Sequence, residues 1–105
     1  MRIPPGILIA LVLIAPAGAA GRGTTHTVII EGVQFSPSEL IVHPGERITW
    51  VNKDPFPHTA TAANKVFDSG SIAADASWSY TVTKQGDIEY SCTFHPTMKG
   101  KIKVQ

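Results

Sequence analysis

The sequence predicts an all-β protein, one small sandwich of short strands behind an N-terminal leader. Three observations point there. From Thr25 onward, short runs rich in Val, Ile, Thr and aromatic residues alternate polar and apolar positions, the period of a half-buried strand. Clusters of Pro, Gly, Asn, Asp and Ser separate these runs. No stretch keeps a helical apolar spacing for more than about one turn, around Ala73 to Ala76.

Residues 1–20 read as a secretory signal peptide rather than as part of the fold. Arg2 is followed by an apolar run from Ile7 to Ala15 and by the small residues Ala17-Gly18-Ala19-Ala20, with cleavage expected near Ala19 or Ala20. That run is well short of the roughly 20 residues a spanning helix needs, so stable membrane insertion is not expected. Periplasmic export is. The single domain occupies residues 25–105.

Within it, Thr27 to Glu31 is β-branched and ends at Gly32, and Val33 to Phe35 precedes Ser36-Pro37. Glu39 to Val42 runs into the turn His43-Pro44-Gly45-Glu46. Arg47 to Asn52 alternates, with Ile48, Trp50 and Asn52 on one face, and His58 to Ala62 is a weaker strand. Ser77 to Val82 places Trp78, Tyr80 and Val82 together. In the next strand Ile88, Tyr90 and Cys92 share the inner face. In the last, Gly100, Ile102 and Val104 turn inward while Lys99, Lys101 and Lys103 face solvent. Such a series indicates an antiparallel sandwich.

The chain has nine Lys and Arg against eight Asp and Glu. With Arg2 in the leader the two signs balance, so nucleic acid, which demands a basic face, is not an expected partner. A monomer is expected. One cysteine in an exported chain cannot form an internal disulfide; it implies intermolecular pairing, a free thiol or a metal ligand.

That cysteine opens the segment Cys92-Thr93-Phe94-His95-Pro96-Thr97-Met98. Taken singly, Cys92 would be a small buried hydrophobe and Met98 a core filler. Together with a histidine in one loop they offer thiolate, imidazole and thioether at C-x-x-H-x-x-M spacing. With a second histidine, these are the donors of a type 1 copper site, a compromise between the soft preference of Cu(I) and the nitrogen preference of Cu(II). His58, in the proline-stiffened loop Asn52 to Thr59, supplies it. Zinc has little use for a methionine. His26 and His43 read as solvated surface residues, with adventitious copper binding as the alternative for His26, and Trp50, Trp78, Phe35 and Phe67 read as core.

At these residues the chain resembles the cupredoxins, and among them the amicyanin-like and plastocyanin-like members. The likeness runs through Gly45 to Asn52 and Pro57-His58, and onward from Lys99 to Val104. It implies a Greek-key β-sandwich with one type 1 copper at one end, held by His58, Cys92, His95 and Met98, and with Asn52 pinning the first ligand loop. The function it implies is soluble periplasmic electron transfer by a Cu(II)/Cu(I) cycle, with redox partners docking near His95. The alternative is a copper-binding or delivery protein using the same ligands without redox turnover. An enzyme is not expected: Ser91 and Thr93 flank Cys92 where multicopper oxidases have histidines, and a binuclear centre needs two cysteines.

Three positions depart from the family pattern. Thr59 follows the first histidine where asparagine is common, so the tie to Thr93 on the other loop is expected to be weaker or water-mediated. Ile88 stands where a tyrosine is frequent. Phe94 replaces a proline and so brings an N–H that proline lacks, positioned to donate to the Cys92 sulfur.

Overall fold

The computed structural model describes residues 23–105. The leader expected over residues 1–20 lies outside the described residues. Eight strands follow in order: β1 (Thr25–Ile30), β2 (Phe35–Ser36), β3 (Glu39–Val42), β4 (Arg47–Asn52), β5 (Thr61–Ala62), β6 (Ser77–Thr81), β7 (Gly86–Cys92) and β8 (His95–Val104). They form two four-stranded sheets, β2-β1-β4-β6 and β3-β8-β7-β5. Among the described residues there is no helix, and the stretch around Ala73 to Ala76 is a turn closed by Ala76 N–H donating to the Ala73 carbonyl at 3.0 Å.

The alternation read from the sequence sorts the side chains as expected. Ile48, Trp50 and Asn52 are wholly buried from β4, and Ile88, Tyr90 and Cys92 are buried from β7. Trp50 packs between the sheets, its ring 5.3 Å from Phe67 and 5.4 Å from Tyr90. Burying side chains of this size contributes most of the favourable free energy of so small a domain.

Pairing departs from the antiparallel expectation in two places. β1 runs parallel to β4, and β3 parallel to β8. The cause lies in the chain's route: after β2 it crosses to the second sheet for β3, then returns to lay β4 beside β1, and such crossovers produce parallel neighbours. The expected strand over residues 58–62 shrinks to β5 and an isolated bridge joining His58 to Ile72. β8 conversely starts at His95 rather than Lys99, because the β7–β8 register slips at Cys92 and pairs it with His95 across a tight turn. The slip sets two of the singled-out side chains at one end of the sandwich.

Gly100 of β8 lies opposite Tyr90 of β7, whose ring covers it so closely that an added Cβ would overlap the ring. Tyr90 cannot easily retreat, being packed on Trp50 and Phe35. Gly100→Ala is expected to destabilise the fold by about 1–3 kcal/mol through overpacking, read as a lower urea midpoint. An unchanged midpoint would mean the Tyr90 ring has room to move.

Candidate metal centre

Two hairpin-like segments build the centre. The first runs from the end of β4. Asn52, fully buried, donates from Nδ2 to the carbonyls of Phe56 and Ile72, each at 2.9 Å, and accepts from Asp54 N–H at 3.0 Å. It pins the proline-rich loop so that His58 bonds to Ile72 in both directions (3.2 and 2.7 Å) and turns its ring into the protein. The second segment is the β7–β8 turn, which brings Cys92 and His95 to the same place.

The three donors meet. Nδ1 of His58 lies 3.6 Å and Nδ1 of His95 3.9 Å from the Cys92 sulfur. All three ligand atoms fall within 4.8 Å of one another, the one such group among the described residues. Donors sharing one ion at metal–sulfur and metal–nitrogen distances of about 2.3 and 2.0 Å stand roughly 3.5–3.7 Å apart, so the spacing fits a single metal. Met98 is buried in β8, three residues beyond His95.

Electrostatics also fit a thiolate ligand. Burial alone would push the Cys92 thiol up. The Thr59 amide, donating at 3.2 Å, outweighs it together with His95, His58 and, least of all, the Phe94 amide, holding the thiol at about 6. A metal therefore has little proton to displace near neutrality. The sulfur is fully shielded from water, while His95 is half-buried and Phe56 (41% exposed) and Phe94 (52% exposed) flank the opening.

Two findings revise the reading of this region. The tie between the loops is direct: Thr93 N–H donates to Thr59 Oγ1 at 2.9 Å, and the two hydroxyl oxygens lie 3.3 Å apart. The missing asparagine is thus replaced by a pair of threonines, with no bridging water needed. Asp54, not singled out from the sequence, accepts Nε2–H of His58 at 2.7 Å. It also accepts the amides of Gly32 (2.7 Å) and Val33 (2.9 Å) in the β1–β2 turn. Burial pushes its carboxyl up, but these two amides and His58 pull it below its ordinary value. A carboxylate on the outer nitrogen fixes the ring tautomer, leaving Nδ1 free to ligate. His26 and His43 stand apart from the centre. His43 is exposed as expected, whereas His26 is partly buried against Glu46.

The family model described as "Cupredoxin-like domain" matches residues 6–104. Amicyanin of Paracoccus denitrificans is 30% identical over 83 residues, an overlap of 74% of this chain and 63% of that protein, so this chain spans just under two thirds of that relative. Amicyanin-alpha of Methylorubrum extorquens is 28% identical, covering 87% of this chain and 76% of its own. Plastocyanin A/B of Petroselinum crispum is 31% identical, with coverages of 70% and 89%. Among solved structures, a reduced amicyanin carrying phenylalanine in place of a proline superposes with a TM-score of 0.73 at 30% identity, covering 77% of this chain and 82% of that one. A Cu(I) amicyanin with a methionine replaced by alanine gives the same TM-score of 0.73 at 28% identity, with the same coverages of 77% and 82%.

Proposed function

The chain belongs to the cupredoxin-like family, and on that premise we propose that it is a soluble periplasmic electron carrier holding one type 1 copper. His58, Cys92 and His95 would hold the copper as its strong donors, with the Met98 thioether as a weak fourth. The observation that carries this reading is the convergence of a buried sulfur and two imidazole nitrogens within 4.8 Å, with the thiol already acidic. Bound copper supplies a one-electron couple between Cu(II) and Cu(I). The chain's own residues do the rest. Asp54 and Asn52 fix His58, the Thr59 amide steadies the sulfur, and the paired threonines hold the two ligand loops in register. A site so braced changes little when its charge changes, which suits rapid electron exchange.

Half-buried His95 is the route to the surface. Phe56 and Phe94 give its surroundings an apolar character suited to close and brief contact with redox partner proteins. In this reading the protein carries electrons and has no substrate chemistry. The visible spectrum of the copper-loaded protein tests it: intense thiolate-to-copper absorption near about 600 nm is expected for this donor set. A colourless Cu(II) form would instead favour a copper delivery protein.

Phe94 tunes the same sulfur. Its amide lowers the thiol's proton affinity, though less than the other groups do. A donor aimed at sulfur withdraws electron density and favours Cu(I). Phe94→Pro removes that N–H and is expected to lower the reduction potential by roughly 40 mV or less, about 1 kcal/mol for one electron. Phe94→Leu serves as control in the electrochemistry. Equal shifts in both variants would locate the effect in the lost aromatic ring rather than in the amide.

A further inference from the structure

At the end of the sandwich away from Cys92, three metal-ligating side chains converge that the copper centre does not use. β1 and β4 run side by side from Thr25 and Arg47 at one end to Ile30 and Asn52 at the other. β4 spans about 17 Å from Arg47 to Asn52, so His26 and Glu46 lie at the end remote from the Asn52 loop that carries His58. His43 joins them from the β3–β4 turn. The Glu46 side chain is only 8% exposed. Its Oε1 accepts Nε2–H of His26 at 2.7 Å and the His43 amide at 3.0 Å. Its Oε2 stands 3.7 Å from Nδ1 of His43.

That last separation is too long for a hydrogen bond. It is close to the roughly 3.4 Å that separates two ligand atoms each about 2.1 Å from one tetrahedral ion. We propose that His26, His43 and Glu46 form a second metal site, selective for a borderline divalent cation of the Zn(II) or Cu(II) class. Two imidazoles and a carboxylate suit such ions, and the absence of sulfur disfavours Cu(I). Turn closure explains the bond from the His43 amide to Glu46, but it calls for no imidazole on either side of a buried carboxylate.

The three ligand atoms do not yet stand as tightly as those of the copper centre, and His43 is the member that closes the site. Its side chain is 63% exposed, so the ring is free to swing over Oε2, and the same exposure gives the ion its way in. His26 and Glu46 already face each other, but at 2.7 Å they are hydrogen-bonded and must part by some tenths of an ångström to share an ion. The bonds from His26 and from the His43 amide hold the Glu46 carboxylate facing both imidazoles. When the ion takes the position of the His26 Nε2 proton, that proton moves to Nδ1 or leaves to solvent.

The copper-loaded chain, with its Cys92 centre already filled, is the material for the test, and Zn(II) alone is the probe. Calorimetric titration is expected to give one Zn(II) per chain, with a raised thermal midpoint and unchanged visible absorption. His26→Ala and His43→Ala should each weaken Zn(II) binding at least tenfold. The proposal is overturned by no zinc uptake, by uptake that bleaches the colour through displacement of copper, or by uptake indifferent to both substitutions.

Discussion

Cys92→Ala is expected to give a colourless protein that no longer binds copper specifically. The chain has no other cysteine, so no second thiolate can take over. Binding free energies of about 10–16 kcal/mol for four-ligand structural zinc sites suggest that one thiolate accounts for on the order of 2.5–4 kcal/mol, a loss of roughly 100- to 1,000-fold in affinity. The fold itself should survive with a smaller penalty. Thr59 N–H loses its sulfur acceptor in a buried setting, which costs about 1–3 kcal/mol. Competition with a copper chelator reads the first effect, and the urea midpoint of the metal-free protein reads the second. His26→Ala and His43→Ala, measured in parallel, should keep the full visible band, since neither side chain touches Cys92, His58 or His95. Retained affinity in Cys92→Ala, or bleaching in His43→Ala, would show that the ligand set is wrong.

Much of this was legible from residue order alone because the centre is mostly local. Cys92, His95 and Met98 lie in one short segment. The inward row Ile88, Tyr90, Cys92 follows from the two-residue period of a strand, and all three are buried. His58 stands out because it lies in a proline-stiffened loop between two β-like segments, while Asn52 as its pin is what the family resemblance implies. What residue order hides depends on long-range pairing. The contact between His26 and Glu46 follows from the parallel alignment of β1 with β4, and a run of short strands suggests only antiparallel neighbours. Asp54 carries no mark of its own in the sequence beyond its place in the loop. Its role needs the β1–β2 turn, more than twenty residues earlier, to arrive beside it. A carboxylate four residues before a proposed metal-binding histidine was the available signal, because ligating imidazoles commonly donate their other N–H to such a group. The Thr59–Thr93 tie is hidden from the sequence for a different reason. A hydroxyl in place of an amide suggests a weaker tie, while the structure uses a backbone amide and a second hydroxyl together.

Asp54→Ala is expected to weaken copper binding by about 10–100-fold, the usual effect of removing the partner of a ligating imidazole. Three donors lose their acceptor at once: Nε2–H of His58 and the amides of Gly32 and Val33. Gly32 and Val33 both have positive φ, at 66° and 57°. For a β-branched residue such as Val33 that conformation is strained, and the two amides it aligns on one carboxylate are what hold it. Without Asp54 the turn can relax away from the ligand loop, and the His58 ring loses both its orientation and its tautomer. Stability should fall by about 3 kcal/mol or more, since a buried charged acceptor is removed from its donors. Acid should have the same effect on the unaltered chain. Because the folded carboxyl is held below its ordinary value of 3.8, its contribution is fully present above that pH and is lost as pH falls through the lower folded value. Chelator competition and urea unfolding of the metal-free variant separate the two roles. A fall in stability with unchanged copper affinity would make Asp54 a brace for the β1–β2 turn alone. Parallel losses, with the visible band shifted as His58 reorients, would establish it as the residue that aims the first ligand.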